Sequence, residues 1–308
     1  MSTFRRFIKF IEITTKLASI IPFFIGLAYT YYLMGYIDAF HTLILLTAVM
    51  LFDIPVTMIN NYLDKRRSGE TPHFSKPVSL AMIIPMVAGS AALGVFLTYR
   101  FGAVVLFTGM FCFFIGIFYS ASPISISRTP YGEIVSGLVQ GFCITFLVVY
   151  INSPGDYLVT LELDMNVSRA AVNIPNMIRL GFITAPAILC ISNIMLANNT
   201  CDVERDTQNR RYTLPYYIGG KTAALLFQLV YAALYAALLI SVIIGAAPPV
   251  CLLVLLTIPI VKKNAAVFAQ NPVKSRTFIL SLRNFITILI PYIVTLFAGG
   301  VYRWWGYH

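Results

Sequence analysis

The sequence has 308 residues, of which 58% are hydrophobic and 11% are charged, and its mean hydropathy is +0.80. A composition this apolar excludes an ordinary soluble domain and a disordered chain, and it indicates a polytopic membrane protein. The five cysteines lack the spacing of a zinc site or a disulfide framework, and the net charge of +10 fits basic residues flanking a membrane better than a nucleic-acid-binding surface.

Nine apolar stretches are long enough to cross about 30 Å of hydrocarbon as helices. They cover residues 14–36, 40–61, 78–99, 102–121, 133–152, 177–199, 221–245, 248–262 and 278–301. The basic N-terminal segment runs into the first stretch without a small-residue cleavage site, so it predicts a first span and not a removable signal. We expect an all-α polytopic membrane protein, with nine transmembrane helices in a single bundle and one domain over residues 1–308.

Basic residues fall unevenly on the two sides of these spans. If the N-terminus is cytoplasmic, the outer side keeps only Arg100, Arg169, Arg179 and Arg303. The positive-inside rule therefore predicts a multi-pass protein of the cell membrane with a cytoplasmic N-terminus and the C-terminus outside. The longest loop, residues 152–176, falls outside, and we assign it no catalytic role.

Two polar clusters close apolar helices on the predicted cytoplasmic side. In one, Asp202 and Asp206 are four residues apart, with Asn198 one turn earlier; if the helix continues to Asp206, all three share one face. In the other, Asn60 and Asp64 repeat the same spacing. Carboxylates and amides suit Mg²⁺, which proteins usually hold with one or two carboxylates plus substrate phosphates. We interpret the clusters as two halves of one metal-diphosphate site.

Other polar residues near the clusters have two interpretations each. Lys16 lies inside the first span, where a charge is usually functional, so it either binds substrate or extends to the membrane surface; Asp53 is an extra site acid or its partner. Arg66 either contacts diphosphate or marks topology. Asn61 either belongs to the site or hydrogen-bonds between helices.

The second cluster also carries a family resemblance. The pattern NNxxDxxxD at residues 198–206, followed by RRYTL and IGG, resembles the second aspartate-rich motif of the UbiA superfamily of intramembrane prenyltransferases, especially its 1,4-dihydroxy-2-naphthoate polyprenyltransferase branch. NxxxD at residues 60–64 is similar to the first motif. YSASPISISRTPYGEI, residues 119–134, resembles the loop of that branch that ends in Gly-Glu.

The resemblance implies roles for individual residues. Asn60, Asp64, Asp202 and Asp206 would hold Mg²⁺ on the diphosphate and so form the catalytic centre. Arg211 would contact the diphosphate, and Tyr119 would line the aromatic or carbocation pocket. Three positions depart from the family pattern, because Asn61 replaces an Asp, Cys201 replaces an Arg and Glu12 stands where an Arg is common.

The implied reaction is Mg²⁺-dependent transfer of a polyprenyl group from its diphosphate to 1,4-dihydroxy-2-naphthoate, forming demethylmenaquinone for menaquinone biosynthesis. The partners would be the polyprenyl diphosphate, the aromatic acceptor and the lipid bilayer. Two alternatives stay open at this point: another acceptor such as 4-hydroxybenzoate, and a non-catalytic quinone-binding, lipid-binding or transport relative.

Overall fold

The computed structural model describes residues 3–121, 123, 125–163 and 168–306. Within these ranges, nine helical segments are long and apolar enough to cross a membrane, which confirms the predicted all-α, nine-span architecture. The α-helices are α1 (Thr3–Ile11), α2 (Leu17–Met34), α3 (Ala39–Arg67), α4 (Lys76–Phe101), α5 (Ala103–Ser120), α6 (Gly132–Gly137), α7 (Ile144–Asn152), α8 (Ile174–Cys201), α9 (Val203–Gln208), α10 (Leu214–Ile218), α11 (Gly220–Ile243), α12 (Ile258–Gln270) and α13 (Ile279–Trp305).

The first span is preceded by a separate helix that the apolar pattern alone did not predict. Helix α1 ends before Glu12, which adopts the left-handed conformation (φ 45°), and a 3₁₀ turn over Ile13–Lys16 leads into α2. Phe10 of α1 is fully buried against Met58 of α3 in a small core that also contains Ile83 of α4. Burial of this apolar face holds α1 beside the end of α3.

Helices α3 and α8 both extend past the predicted ends of their spans. Helix α3 starts at the N-cap Asp38, whose carboxylate accepts a hydrogen bond from the His41 N–H (3.2 Å), and its last turn carries three basic residues that complement the helix dipole. Helix α8 starts at Asn173, which caps the Asn176 N–H at 3.2 Å. The extension of α3 carries Asp64 on helical backbone, whereas α8 ends at Cys201, just before Asp202.

The fifth span consists of α6, a π-helical stretch over Leu138–Cys143, and α7. Its glycines let it lie close against α8. An added Cβ would sit 2.1 Å from Ser192 Oγ at Gly137 and 2.7 Å from Ile188 N at Gly141, so neither position has room for a side chain. This contact fixes the start of α6 beside the end of α8.

Two segments differ from the expected boundaries. The eighth span is a 3₁₀ stretch over Pro249–Thr257 followed by α12, which continues to Gln270, beyond the predicted end at residue 262. The 152–176 loop contains an antiparallel hairpin of β1 (Val159–Leu163) and β2 (Ser168–Val172), in which Val159 pairs with Val172.

Burial is uneven across the bundle. In the most apolar windows of the fifth span and of α8, 56% of the residues are buried, against 17% in α4 and in α5. The main core therefore lies among α2, the fifth span, α8, α11 and α13, where Phe227, Ile288 and Leu296 are fully buried. Helices α3, α4 and α5 pack on one side of it, and an internal cavity separates them from α8.

Candidate active site

A cavity of about 920 Å³ joins the ends of α3 and α8. Its wall includes eight of the ten residues that the sequence predicted for the site: Asn60, Asn61, Asp64, Tyr119, Asn198, Asp202, Asp206 and Arg211. Lys16 and Arg66 do not line it. The structure thus brings the two polar clusters to one cavity, as the two-halves hypothesis requires.

The α3 side presents Asn60 and Asp64 one helical turn apart. Ser120 at the end of α5 donates a hydrogen bond to Asn60 Oδ1 at 2.6 Å, which fixes that amide. The Asp64 carboxylate has no ion-pair partner among the described residues. Asn61 donates to the Phe10 carbonyl at 3.0 Å, so the residue that replaces the family Asp also anchors the end of α1.

The α8 side is not one continuous helix. Helix α8 ends at Cys201, Asp202 is non-helical, and α9 begins at Val203. The Asp206 N–H still donates to the Asp202 carbonyl at 2.7 Å, so one helical turn persists across the break. Both carboxylates consequently reach the cavity, as the four-residue spacing predicted.

Asp206 is the more enclosed of these two acids, with a relative exposure of 7%. Burial raises the pKa of its carboxyl, although the positive charge of Arg211 acts in the opposite direction. Arg211 Nε lies 3.5 Å from Asp206 Oδ2, yet that buried oxygen accepts no hydrogen bond within the described part of the chain. A buried carboxylate oxygen without a donor is a position that a cation would stabilise.

Arg211 is held from two directions. Its Nε donates to the Ser127 carbonyl at 3.0 Å, and its Nη2 donates to Asn199 Oδ1 at 3.2 Å. The Asn199 amide in turn donates to Glu133 Oε1 at 2.9 Å. Asn199 and Glu133 are buried, so they position the guanidinium and do not line the cavity themselves.

Two arginines at this end, Arg67 and Arg128, were not among the site residues predicted from the sequence. Arg67 donates to the Ser120 carbonyl (3.0 Å) and to Ser125 Oγ (3.3 Å), and Arg128 donates to the Asn209 carbonyl. Burial lowers the pKa of Arg128, and the positive charges of Arg67 and Arg211 lower it further. Several cations that repel one another around one cavity form a favourable site for an anion.

Of the two interpretations of Arg66, the structure favours a topology signal over a contact with diphosphate. It is exposed and lies outside the cavity wall, whereas the next residue, Arg67, belongs to that wall. Arg66 and Arg67 project about 100° apart on α3, and of the two only Arg67 lines the cavity. The guanidinium on the α3 side of the site is therefore that of Arg67.

Lys16 was predicted either to bind substrate or to extend to the membrane surface, but it neither lines the cavity nor is exposed. Its ammonium is buried, lies 2.9 Å from Asp53 Oδ2, and donates to Thr57 Oγ1 at 2.5 Å. Of the two interpretations of Asp53, the structure supports a partner for Lys16, although Asp53 also borders the cavity. A fully paired lysine satisfies the buried charge without any contact to substrate.

Glu70, just after α3, links the two clusters directly. Its two carboxylate oxygens lie 3.1 Å from Lys65 Nζ and 3.1 Å from Arg205 Nη2 of α9. These cations lower the pKa of the exposed Glu70 carboxyl. Lys274, in the turn between α12 and α13, lies 2.7 Å from Asp202 Oδ2 and donates to Asn198 Oδ1. The sequence pattern alone did not indicate a role for Lys274 at this site.

The donor set fits a hard divalent cation. The oxygens of Asn60, Asp64, Asp202 and Asp206 are the ligand type that Mg²⁺ prefers, and the Asp206 oxygen without a donor gives such an ion a defined place. In the described residues no three Asp, Glu, His or Cys side chains are already gathered round one point. The two halves of the site are thus separate ligand sets facing one cavity.

The rest of the cavity is an apolar arm between α3, α4 and α5. Its walls include Phe52, Leu97, Val105, Gly109 and Phe113, and the two phenylalanine rings stack with centroids 4.0 Å apart. From Asn60 to Leu45, both in the wall, α3 rises about 22 Å. A cation-rich polar end joined to a long apolar arm matches an amphiphilic anion.

Comparison with known proteins agrees with this geometry. The UbiA prenyltransferase family matches residues 19–289. A 1,4-dihydroxy-2-naphthoate octaprenyltransferase of Bacillus subtilis (strain 168) is 26% identical over 269 residues, which cover 83% of this chain and 80% of that protein.

Solved structures show the same fold at low sequence identity. Digeranylgeranylglyceryl phosphate synthase superimposes with a TM-score of 0.66 at 16% identity, covering 97% of this chain and 100% of that one. A UbiA homologue of Archaeoglobus fulgidus bound to DMAPP and Mg²⁺ gives a TM-score of 0.56 at 12% identity, covering 95% and 99%. With a family match across most of its length, the chain belongs to the UbiA prenyltransferase family and is a membrane-embedded prenyltransferase.

Proposed function

We propose that this prenyltransferase moves a polyprenyl group from its diphosphate to 1,4-dihydroxy-2-naphthoate, forming demethylmenaquinol, the reduced form of demethylmenaquinone, with loss of CO₂ and diphosphate. The observation that carries the proposal is the single cavity, in which both acidic clusters meet at one end of an apolar arm. The acceptor is inferred from the 26% identical octaprenyltransferase. The fold relatives bound to DMAPP or GPP with Mg²⁺ support the diphosphate and the metal.

The polar end would bind the diphosphate. Asn60, Asp64, Asp202 and Asp206 would hold Mg²⁺, which when bound neutralises charge on the diphosphate and makes it a better leaving group. Arg67, Arg128 and Arg211 line the same end and would bind the remaining phosphate oxygens. Because Asn199 and Glu133 fix Arg211, its guanidinium is preorganised for the charge that develops as the C–O bond breaks.

The apolar arm would hold the prenyl tail and protect the allylic carbocation. Tyr119 lines the cavity and donates to the Gly132 carbonyl at 3.4 Å, so its ring is held at the border between the polar end and the arm. Aromatic faces stabilise a nearby cation, and an apolar wall keeps water from capturing it.

The acceptor chemistry needs little from the protein beyond positioning. An electron-rich ring carbon of the acceptor forms the new C–C bond to the prenyl carbon, and the carboxylate at that carbon leaves as CO₂. The electron pair of the broken C–C bond returns to the ring and restores aromaticity. The arrangement therefore requires orientation and exclusion of water but no strong general base.

The test is a membrane assay with a polyprenyl diphosphate and either 1,4-dihydroxy-2-naphthoate or 4-hydroxybenzoate, with Mg²⁺ or with chelator. We expect a Mg²⁺-dependent product from the first acceptor only, with the mass of demethylmenaquinol or of the demethylmenaquinone that air oxidation forms from it. Prenylated 4-hydroxybenzoate as the main product would overturn the acceptor assignment. Product formed equally in chelator would overturn the metal requirement.

A further inference from the structure

Lys274 is paired with one of the acids that the proposed function assigns to a metal ion. Its ammonium lies 2.7 Å from Asp202 Oδ2 and donates to Asn198 Oδ1, so it is shared between these two oxygens. The Phe278 ring lies 4.7 Å from the same nitrogen. A monovalent cation is thus held among two oxygen donors and an aromatic face, which is how a metal position can be neutralised by a side chain.

The side chain can leave this position without unfolding its turn. The turn after α12 is fixed by Thr277, whose hydroxyl accepts from the Val273 N–H and donates to the Asn271 carbonyl, both at 2.8 Å. The Lys274 side chain is 43% exposed and contributes no hydrogen bond to that turn. A lysine has a flexible four-carbon stem, so its ammonium can move several ångströms while the backbone stays in place.

We propose that Lys274 is a built-in counter-ion that exchanges places with the divalent metal. Without substrate it pairs with Asp202 and Asn198; when metal and diphosphate bind, the metal takes the Asp202 oxygen and the ammonium moves onto the diphosphate. Lys274 would then be a diphosphate-binding residue that also makes metal and diphosphate bind cooperatively. This inference rests on the proposed metal-diphosphate function.

Two consequences follow from the exchange. A metal that binds alone must displace Lys274, and the displaced ammonium then has no anion to pair with. The affinity of the protein for metal alone is therefore low. A diphosphate supplies the new partner, so each ligand raises the affinity for the other by the same factor. Replacing Lys274 by an uncharged residue should therefore strengthen binding of metal alone and weaken the coupling.

The test measures Mn²⁺ binding to the purified full-length protein in detergent by electron paramagnetic resonance, with and without inorganic pyrophosphate. A protein-free titration accounts for Mn²⁺ held by pyrophosphate in solution. For Lys274→Met we expect about threefold to fivefold tighter Mn²⁺ binding without pyrophosphate, the range for removing a competing, partly exposed ion pair. We also expect the enhancement by pyrophosphate to fall about tenfold, within the usual range of coupling between two sites.

The matched control is Lys65→Met. Lys65 lines the same cavity and is paired with Glu70, but it contacts neither Asp202 nor Asn198. Removing its charge should tighten Mn²⁺ binding less and should leave the coupling unchanged.

Equal Mn²⁺ affinity and equal coupling in the wild type and Lys274→Met would overturn the exchange and leave the metal site intact. Equal changes in both lysine variants would overturn it too, because they would show only a general effect of charge. If no variant bound Mn²⁺ even with pyrophosphate, the metal site itself would be wrong, and the exchange with it.

Discussion

Asp202 and Asp206 lie on the same side of the cavity but differ in their surroundings. Asp202 is paired with a partly exposed lysine, whereas Asp206 is buried and keeps one oxygen without a donor. Neither acid is needed to hold the helices together, since the turn between them is closed by backbone hydrogen bonds. Their side chains are therefore available for a ligand.

Replacing either acid by its amide should stop catalysis and leave the fold intact. Asp202→Asn and Asp206→Asn each keep the side-chain volume but remove a negative charge that the metal-diphosphate needs, so we expect turnover to fall about 100-fold or more. Turnover is measured in membranes and folding by thermal unfolding in detergent.

The matched control for these variants is Glu204→Gln. Glu204 is an exposed acid of α9 that does not line the cavity, so its loss should leave turnover close to that of the wild type. Wild-type turnover in both aspartate variants would refute the site assignment.

The Lys16–Asp53 pair separates a structural role from a binding role. Lys16→Met leaves the Asp53 carboxylate buried without its partner, so we expect about 3–5 kcal/mol of destabilisation, the usual result of breaking a buried pair from one side. Unfolding in detergent measures the loss, and adding Asp53→Asn should recover much of it. A stable Lys16→Met protein with a higher KM for the diphosphate would instead return Lys16 to the substrate site.

The sequence predicted which side chains meet at one cavity where helical spacing decides their direction, and their roles there stay predictions. Asn60, Asp64, Asp202 and Asp206 lie at helical spacing, and all four reach the cavity. It failed where the direction of a side chain depends on the helix phase or on another element. Arg66 and Arg67 are neighbours that only the phase of α3 distinguishes, and the role of Lys274 depends on how the α12–α13 turn packs against α8.

Among the elements, α4 and α5 determine how much space the apolar arm of the cavity offers. Small residues on α4 and α5 keep the apolar arm open, because a Cβ added at Gly94 or Gly109 would meet no atom within 4 Å. At Gly116 an added Cβ would lie 2.6 Å from the Phe52 ring, so that position is already closely packed. Gly109 is thus a place where a side chain would shorten the arm without disturbing its walls.

Gly109→Phe should change substrate length preference. A phenyl ring in the arm leaves space for a short prenyl chain but blocks a long one, so turnover with a long polyprenyl diphosphate should fall about tenfold relative to a short one, as for size exclusion in other apolar pockets. Chain-length profiles measured by product mass test this. Gly181→Phe, on α8 outside the cavity, is the control, and an identical profile in both variants would contradict the assigned arm.

Element boundaries show why hydropathy predicted the spans but not their details. The apolar stretches gave all nine segments, because each must cover the hydrocarbon thickness. Hydropathy does not register the left-handed Glu12 that separates α1, or the π-helical stretch before Ile144, since both depend on packing. It also ended α3 and α8 too early, because polar residues continue a helix beyond the membrane.

For the whole molecule, the two clusters close the second and sixth spans, so they lie at one face, and the 152–176 loop after the fifth span lies at the other. Charge asymmetry predicts that the face with the clusters is cytoplasmic. An impermeant thiol reagent applied to intact cells should therefore label Asp156→Cys in the 152–176 loop and spare Glu204→Cys in α9. Labelling of the wild-type protein gives the background from its own cysteines. The reverse pattern would show that the predicted orientation is inverted.

We propose that one cavity binds both the diphosphate, between the two acidic clusters, and the prenyl tail, along α3 and α5. A structure of the protein with Mg²⁺ and a non-hydrolysable polyprenyl diphosphate analogue tests it most directly. We expect the diphosphate to lie among Asn60, Asp64, Asp202 and Asp206, with the prenyl tail passing Phe52 and Gly109. A diphosphate away from these acids, or a tail in the apolar groove between α2 and α13 that Phe24 and Phe297 line, would contradict it.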